Sequence, residues 1–592
     1  MSTTTLTTQG PAVPAHLRQF VVDQHYAKYT PVDQAVWRYV LRQNSAFLQE
    51  KGYGSYRDGL LSTGMSIESI PDITTMSAEL SAMGWGAVAV DGFIPPVAFF
   101  DFQAHGILPI ACDMRTLAHI AYTPAPDIIH ESAGHAPMLH DEAYGRFLRR
   151  FGEIGRKALS SKEDLEVYEA IRLLSILKED PKATDEQIAA SERRLDAAIA
   201  AVTSSSEATL LARLYWWTVE YGLIGDLEDP KIYGAGLLSS MGESRSCLAP
   251  AVRKIPFSLE ACIATDYDIT KPQPQLFVCR DFDQLTEAIE RFAAGMAFRV
   301  GGTQSLVKAV DSGATATAVY ASGLQVTGTF TDLVFDEQGE AVYLKTTGSS
   351  ALAYADQELP GHDQVYHGEG FGSPVGLLQG YSTPLEDFSD LLLQRAGIVA
   401  GCKANVKFRS GVRVEGIVKE VVRRGGKIVL IAFNRCTVTL GETVLFRAEW
   451  GTFDMAVGAK IVSVFAGAAD PERFHASAVA VSATVTGKAV LSEEERALHR
   501  LYTAVRDLRE GELSDGQLID SLADVLQQIE AEFAEDWLLR VEILEILTAR
   551  GVERELQERV EAQLVRAGES DEEKGALIEN GMKLMRVGCR AG

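Results

Sequence analysis

From Pro31 to Gln49, apolar residues recur at helical spacing, and Val36, Val40, Leu41 and Phe47 fall on or near one face. Gly86-Ala-Val-Ala-Val, followed by Asp-Gly-Phe-Ile-Pro-Pro, reads as a short strand and a turn. Between residues 158 and 207 two amphipathic faces follow one another, Leu165, Tyr168, Ile171, Leu174 and Leu177, then Ile188, Leu195, Ile199 and Val202. Ser160-Ser-Lys-Glu163 and Thr184-Asp-Glu-Gln187 read as the capping boxes that start them, and Pro181 separates them, so a helical hairpin is expected. Residues 315 to 465 change period: apolar residues alternate with polar ones between glycine turns, which predicts antiparallel strands. Ser322-Gly-Leu-Gln-Val-Thr-Gly and Ser410-Gly-Val-Arg-Val-Glu-Gly are each followed, after nearly equal intervals, by Gly339-Glu-Ala-Val-Tyr-Leu and Gly426-Lys-Ile-Val-Leu. Two similar units are expected, each a small barrel. From Leu491 the pattern is helical and charged, with Leu538, Ile543, Ile546 and Leu547 on an apolar face, as in a docking or oligomerisation domain. Residues 1–17 show no period and read as a disordered tail.

Polar residues break the apolar pattern most sharply at 122–137, Tyr-Thr-Pro-Ala-Pro-Asp-Ile-Ile-His-Glu-Ser-Ala-Gly-His-Ala-Pro. Asp127, His130, Glu131 and His135 stand there among small and apolar neighbours. On a regular helix, residues five apart point roughly 140° away from each other. His130 and His135 can therefore share one ion only if the helix stops between them, and Gly134 and Pro137 are the residues expected to stop it. A third ligand is expected elsewhere. In Ala212-Arg-Leu-Tyr-Trp-Trp-Thr-Val-Glu-Tyr-Gly-Leu223, read as a helix, Ala212, Trp216 and Glu220 lie on one face with Tyr215 beside them, opposite Leu210, Leu214 and Trp217. A carboxylate on such a face must be paired, protonated or metal-bound. A core glutamate satisfied by an arginine is one reading. With the two histidines, Glu220 completes the facial set that leaves positions open on non-haem Fe(II).

Composition narrows the partners. With 56 lysines and arginines against 81 acidic residues, the net charge is -25 over 592 residues, which disfavours nucleic acid and anionic membrane. Length implies several domains. Seven cysteines without a Cys-x-x-Cys suggest free thiols in a reducing compartment. The N-terminus lacks the regions of a signal peptide and no stretch suits a bilayer, so a soluble cytoplasmic protein is expected. His362 and His367 lie in a polar loop and read as solvated.

The order of several separated motifs resembles the pterin-dependent aromatic amino acid hydroxylases over residues 20 to 298. These motifs are Tyr29-Thr-Pro with Trp37, Val90-Asp-Gly-Phe-Ile with Phe99, Arg115 leading to Tyr122-Thr-Pro-Ala-Pro-Asp-Ile-Ile-His-Glu, Leu214-Tyr-Trp-Trp-Thr-Val-Glu-Tyr-Gly-Leu, Tyr233-Gly-Ala-Gly-Leu-Leu-Ser-Ser-Met-Gly-Glu and Gln273-Pro-Gln-Leu-Phe-Val. Beyond about residue 300 the resemblance ends, and with the periodic patterns there it gives an α+β multidomain chain. A mainly helical hydroxylase domain (18–300, with the insertion at 158–207) would precede the β-rich region of two weak repeats (301–490) and the helical C-terminal domain (491–592). It implies Fe(II) on His130, His135 and Glu220, a tetrahydropterin supplying two electrons, and O2 as co-substrate. Arg115 would bind the α-carboxylate of an aromatic amino acid with Thr123 and Ser239, and Pro126 and Trp216 would hold its ring. The turn at Gly92, Phe99, Ala212 and Tyr215 would meet the pterin, with Glu131 beside it and the oxygen site. Asp127 would orient a ligand or the arginine. Pro95 and Pro96 depart from the family's usual serines.

Phenylalanine is the expected substrate, because Ile269 stands where tyrosine-hydroxylating members commonly carry an aspartate, although Asp268 is adjacent. Para attack is expected, with phenylalanine 3-hydroxylation and tyrosine or tryptophan hydroxylation as alternatives. Two readings of other classes remain. One is a zinc hydrolase with Glu131 as general base; the other is an assembly or binding protein with a vestigial catalytic half. The insertion reads as a subunit contact, a lid or an inert addition, inert by default. It and the C-terminal helices offer surfaces for a homo-oligomer.

Overall fold

Thr30 opens the first long helix, Pro31–Lys51, by accepting from the Asp33 N–H at 3.1 Å, while the Asp33 carboxylate accepts from the Thr30 N–H at 2.8 Å. This reciprocal cap, with proline at the first helical position, leaves Trp37, Tyr39, Val40 and Leu41 buried. The computed structural model describes residues 11–54, 56–92, 94–121, 126–179, 183–269, 271–474, 491–569 and 571–588. Gly86–Val90 pairs in parallel with Ile107–Ala111, and the helix Pro96–Ala104 crosses between them. A second, mixed sheet runs Lys231–Ile232, Leu223–Ile224, Gln275–Cys279, Arg253–Pro256. Helices enclose both, as the mainly helical expectation requires. No helix among the described residues is long and apolar enough to cross a membrane.

Residues 11–17, expected within a disordered tail, are ordered. Leu17, in the short helix Ala15–Phe20, is buried against Ala98, Phe102 and Ile107. His16 Nε2 lies 2.7 Å from Asp101 Oδ2, and Arg156 and His105 reach the same carboxylate at 3.2 and 3.3 Å. Burial opposes the Asp101 charge, but its hydrogen bonds to His105 and His16 hold it below the usual carboxylate range. Asp101 in turn raises His105 against burial. A raised histidine stabilises the fold below its unfolded value, and that contribution disappears as pH rises through the folded one. The melting-temperature deficit of Asp101→Asn is therefore expected to be larger at pH 6 than at pH 9, measured by thermal denaturation.

The insertion forms the expected hairpin, Lys162–Glu179 against Asp185–Ala201, bridged by Arg194 to Glu166 at 2.8 Å and Lys178 to Glu192 at 3.0 Å. Its second capping box is Thr184 with Gln187, as expected. Its first lies one residue on, with Ser161 and Asp164 exchanging hydrogen bonds.

Two antiparallel sheets follow. One runs Gln357–Glu358, Ala341–Tyr354, Leu324–Phe335, Thr315–Tyr320, Ile461–Ala466, with Gly372–Pro374 also paired to Ala341–Tyr354. The other runs Lys403–Lys407, Val412–Arg424, Lys427–Leu440, Thr443–Phe446, with Phe453–Ala456 also on Lys427–Leu440. Each is built on one long hairpin, where the two similar motifs fall. The units are not sequential barrels, however: Ile461–Ala466 returns from beyond the second sheet to extend the first, and among the described residues no ladder joins the ends of either sheet.

The C-terminal helices Glu493–Glu510, Asp515–Glu532, Leu538–Arg550, Arg554–Gly568 and Glu572–Gly588 do not form a core of their own. Leu501, Tyr502, Leu526, Trp537, Leu538 and Ile543 belong to the same apolar core as Val36, Trp37 and Val40, whereas the two sheets are held by two other apolar clusters, each drawing on strands of both sheets. Arg38, 2 % exposed, donates to the buried Glu542 through Nε and through Nη2 at 2.7 Å, and Arg509 meets the same carboxylate at 3.1 Å. Arg42 pairs with Glu545, and Tyr39 stacks edge-on against Trp537. The expected docking domain is in this respect a part of the hydroxylase-like unit.

Candidate metal centre

His130–His135 is a π-helical turn, closed by the Ala136 N–H donating to the Glu131 carbonyl, five residues back. Trp216–Glu220 is a second, closed by Tyr221 N–H to Trp216 O at 2.8 Å. The helix therefore does not stop between the histidines. A π turn widens the loop by one residue, so positions five apart come to one side, and the two imidazole centroids stand 5.1 Å apart. Gly134 serves a different purpose from the expected one. A Cβ there would lie 2.5 Å from the Ala235 carbonyl oxygen, so glycine lets the helix Ala235–Ser239 approach. Gly234 plays the same part at Glu220, whose carbonyl oxygen would be 2.4 Å from its Cβ. One glycine-rich segment thus clamps both π turns.

The three side chains converge. Glu220 Oε2 is 3.3 Å from His130 Nε2, and Oε1 is 3.1 Å from His135 Nε2. His135 is wholly buried, yet among the described residues neither ring nitrogen has an aligned hydrogen-bond partner, and Glu131 Oε2, 4.0 Å from His135 Nε2, has none either. The spacing suits ligands of a common ion: groups bound at ~2.1 Å and at right angles stand ~3 Å apart. Two imidazoles and one carboxylate suit a first-row divalent metal such as iron or zinc. Burial opposes charge on Glu220, but His135 and His130 hold its carboxyl below the usual range, while burial raises Glu131. His130, despite burial, is pushed up to about 9 by Glu220.

The orienting contacts are equally specific. Ser239 Oγ donates to the Ala235 carbonyl at 2.8 Å, so its oxygen accepts from His130 Nδ1 at 3.1 Å and leaves Nε2 free to ligate. Sequence reasoning placed Ser239 with Arg115 on the substrate; the structure places it against the histidine. Asp127 accepts from Arg115 Nε and Nη2, both at 2.8 Å, and from the backbone N–H groups of Arg115 and His130 at 3.1 and 3.0 Å. One carboxylate thus ties the arginine to the start of the π turn.

Phe99 and Tyr215 meet edge-to-face at 5.9 Å, Ala212 lies a turn before Tyr215, and the Tyr215 hydroxyl accepts from Gln103 at 2.8 Å. Gln103 was missed, and nothing in its local pattern marks it. Gly92 occupies the turn after the first strand with φ +57°. Pro126 is exposed just before Asp127, and Thr123 lies outside the described residues. Trp216 is sandwiched between Tyr221 at 4.5 Å and Tyr267 at 4.4 Å, so both its faces are occupied.

A model of the biopterin-dependent aromatic amino acid hydroxylases matches residues 23–176 and 175–301. Phenylalanine-4-hydroxylase of Mesorhizobium japonicum is 29% identical over 274 residues, 46% of this chain and 83% of that one. The Ralstonia nicotianae enzyme of the same name is 30% identical over 271 residues, 45% and 72% respectively. Among solved structures, Chromobacterium violaceum phenylalanine hydroxylase with bound iron(III) and 7,8-dihydrobiopterin is 26% identical, covering 50% of this chain and 92% of that one, with a TM-score of 0.38.

Proposed function

We infer that this chain, which belongs to the biopterin-dependent aromatic amino acid hydroxylases, holds Fe(II) on His130, His135 and Glu220 and hydroxylates the ring of phenylalanine. The reading is carried by the convergence of those three side chains at ligand spacing in a buried site. Iron and reduced pterin, when bound, supply O2 activation and two electrons, so that one oxygen atom enters the ring. The rest of the work falls to the chain. Ser239 fixes the tautomer of His130, and Ser239→Ala is expected to weaken Fe(II) binding about 10–100-fold, measured by anaerobic titration.

Asp127 occupies one edge of the Arg115 fork, and the other edge would take an α-carboxylate bidentately. With its faces covered, Trp216 meets a substrate ring by its edge. Phe99 offers the flat pterin an aromatic surface, and Glu131 offers an acceptor beside it. Phenylalanine is favoured over tyrosine because a buried phenolic hydroxyl needs a partner. Asp268, the nearby carboxylate that could have served, is paired at the surface with Lys271 at 3.0 Å. The similar bacterial chains bear the name phenylalanine-4-hydroxylase.

The test is chromatography of the products formed by purified full-length chain with Fe(II), tetrahydropterin and phenylalanine. Para-tyrosine is the expected product. Meta-tyrosine would overturn the ring position, and turnover of tyrosine or tryptophan with no turnover of phenylalanine would overturn the substrate.

A further inference from the structure

The β-rich half holds a second cluster of metal-ligating side chains, far along the chain from the first. His362 and His367, expected to be solvated, are half-buried and buried respectively, and His362 Nδ1 stands 3.2 Å from His367 Nε2. Backbone pairing sets this geometry. The Leu352 N–H donates to the His362 carbonyl at 3.0 Å and the Ser350 N–H to the His367 carbonyl at 3.1 Å, so both histidines are pinned to one strand, opposite residues two apart. Asp363 Oδ1 accepts from the N–H groups of Val365 and Tyr366, which tightens the turn between them.

The third member comes from the other sheet. Asp454 lies in Phe453–Ala456, where its neighbours Phe453, Met455 and Ala456 are at most 1 % exposed and it is 6 % exposed itself. A carboxylate in such a strand is costly unless compensated. One ligand atom from each of His362, His367 and Asp454 lies within 4.8 Å of the other two. Two ligands on a tetrahedral ion with bonds of about 2.0–2.1 Å stand ~3.3 Å apart, close to the separation of the two ring nitrogens. His362 also lines a cleft of about 330 Å³ with Leu359, Pro360, Glu420 and Arg424, which gives an ion a way in. The Tyr366 hydroxyl hydrogen-bonds Asp454, and Lys419 and Glu420 act on the cluster with opposite signs.

We propose that His362, His367 and Asp454 bind a divalent cation of the zinc class, which clips the 359–371 loop of the first sheet to the second sheet. Imidazole and carboxylate ligands suit such a cation. The site is independent of the hydroxylase centre and of its assignment.

Metal-depleted full-length chain is titrated with Zn2+ and the bound metal counted after dialysis. The wild type is expected to bind two equivalents. His135→Ala/Glu220→Ala, which dismantles the first centre, should keep one. His362→Gln and Asp454→Asn should each reduce the wild type to one, and His362→Gln added to the first pair should leave none. His362 is half-exposed on a loop, so its variant tests the site without touching a core. A wild type that binds one equivalent, lost in His135→Ala/Glu220→Ala, would overturn the proposal. So would a second equivalent that survives both His362→Gln and Asp454→Asn.

Discussion

Glu220→Ala is expected to leave the chain without stoichiometric Fe(II) and without detectable phenylalanine-dependent product. Glu220 is the carboxylate that faces both histidines, at 3.3 and 3.1 Å. Without it two imidazoles remain, with Glu131 Oε2 at 4.0 Å from His135 Nε2 as the one carboxylate beside them among the described residues, itself held toward its protonated form by burial. Glu131→Gln is the informative contrast: iron should be retained and turnover should fall. Metal analysis and product chromatography on the two variants read the difference. A Glu220→Ala chain that keeps one iron and turns over would remove Glu220 from the site, and a Glu131→Gln chain that loses its iron would add Glu131 to the ligands.

Glu542→Ala is expected to cost about 3–5 kcal/mol, a large share of the about 5–15 kcal/mol that holds a typical domain together. The carboxylate is buried between Arg38 and Arg509, and its removal strands the Arg38 guanidinium in the core. Urea denaturation followed by circular dichroism measures the loss. The same contacts predict that a chain cut after Val300 does not fold, because the surface of Pro31–Lys51 that meets Trp537 and the other C-terminal core residues would be exposed to water. A soluble, iron-binding remainder from that truncation would make the distal helices accessory.

The converging residues His130, His135 and Glu220 were legible in the sequence, because polar side chains that must be paired or bound stand out in an apolar run. The way they converge was not. Reasoning at 100° per residue forced a helix stop between His130 and His135, whereas a π turn, which leaves no mark in hydrophobic periodicity, aligns them without one. Gly134 was visible as a break and is in fact a point of close approach. The hairpin at 162–201 and the long strands could be read from local period and capping. The contact of residues 493–588 with Pro31–Lys51 could not, since an apolar face does not name its partner. The sandwich of Trp216 was hidden for the same reason, and so was the meeting of His362 and His367 with Asp454.

The shared core of the first and last helices sets a schedule for biosynthesis. About 190 residues separate the end of the hydroxylase-like segment from the first of the helices that complete its core, so at roughly 5–20 residues per second a ribosome takes about 10–40 s even to reach them. During that interval Arg38 and the apolar side of Pro31–Lys51 wait without their partners, while the paired β sheets, whose two apolar clusters take nothing from the last helices, are free to fold first. Nascent chains released early should therefore carry ordered sheets beside an unfinished oxygenase, and they should depend on chaperones in a way that a hydroxylase with a self-contained core would not.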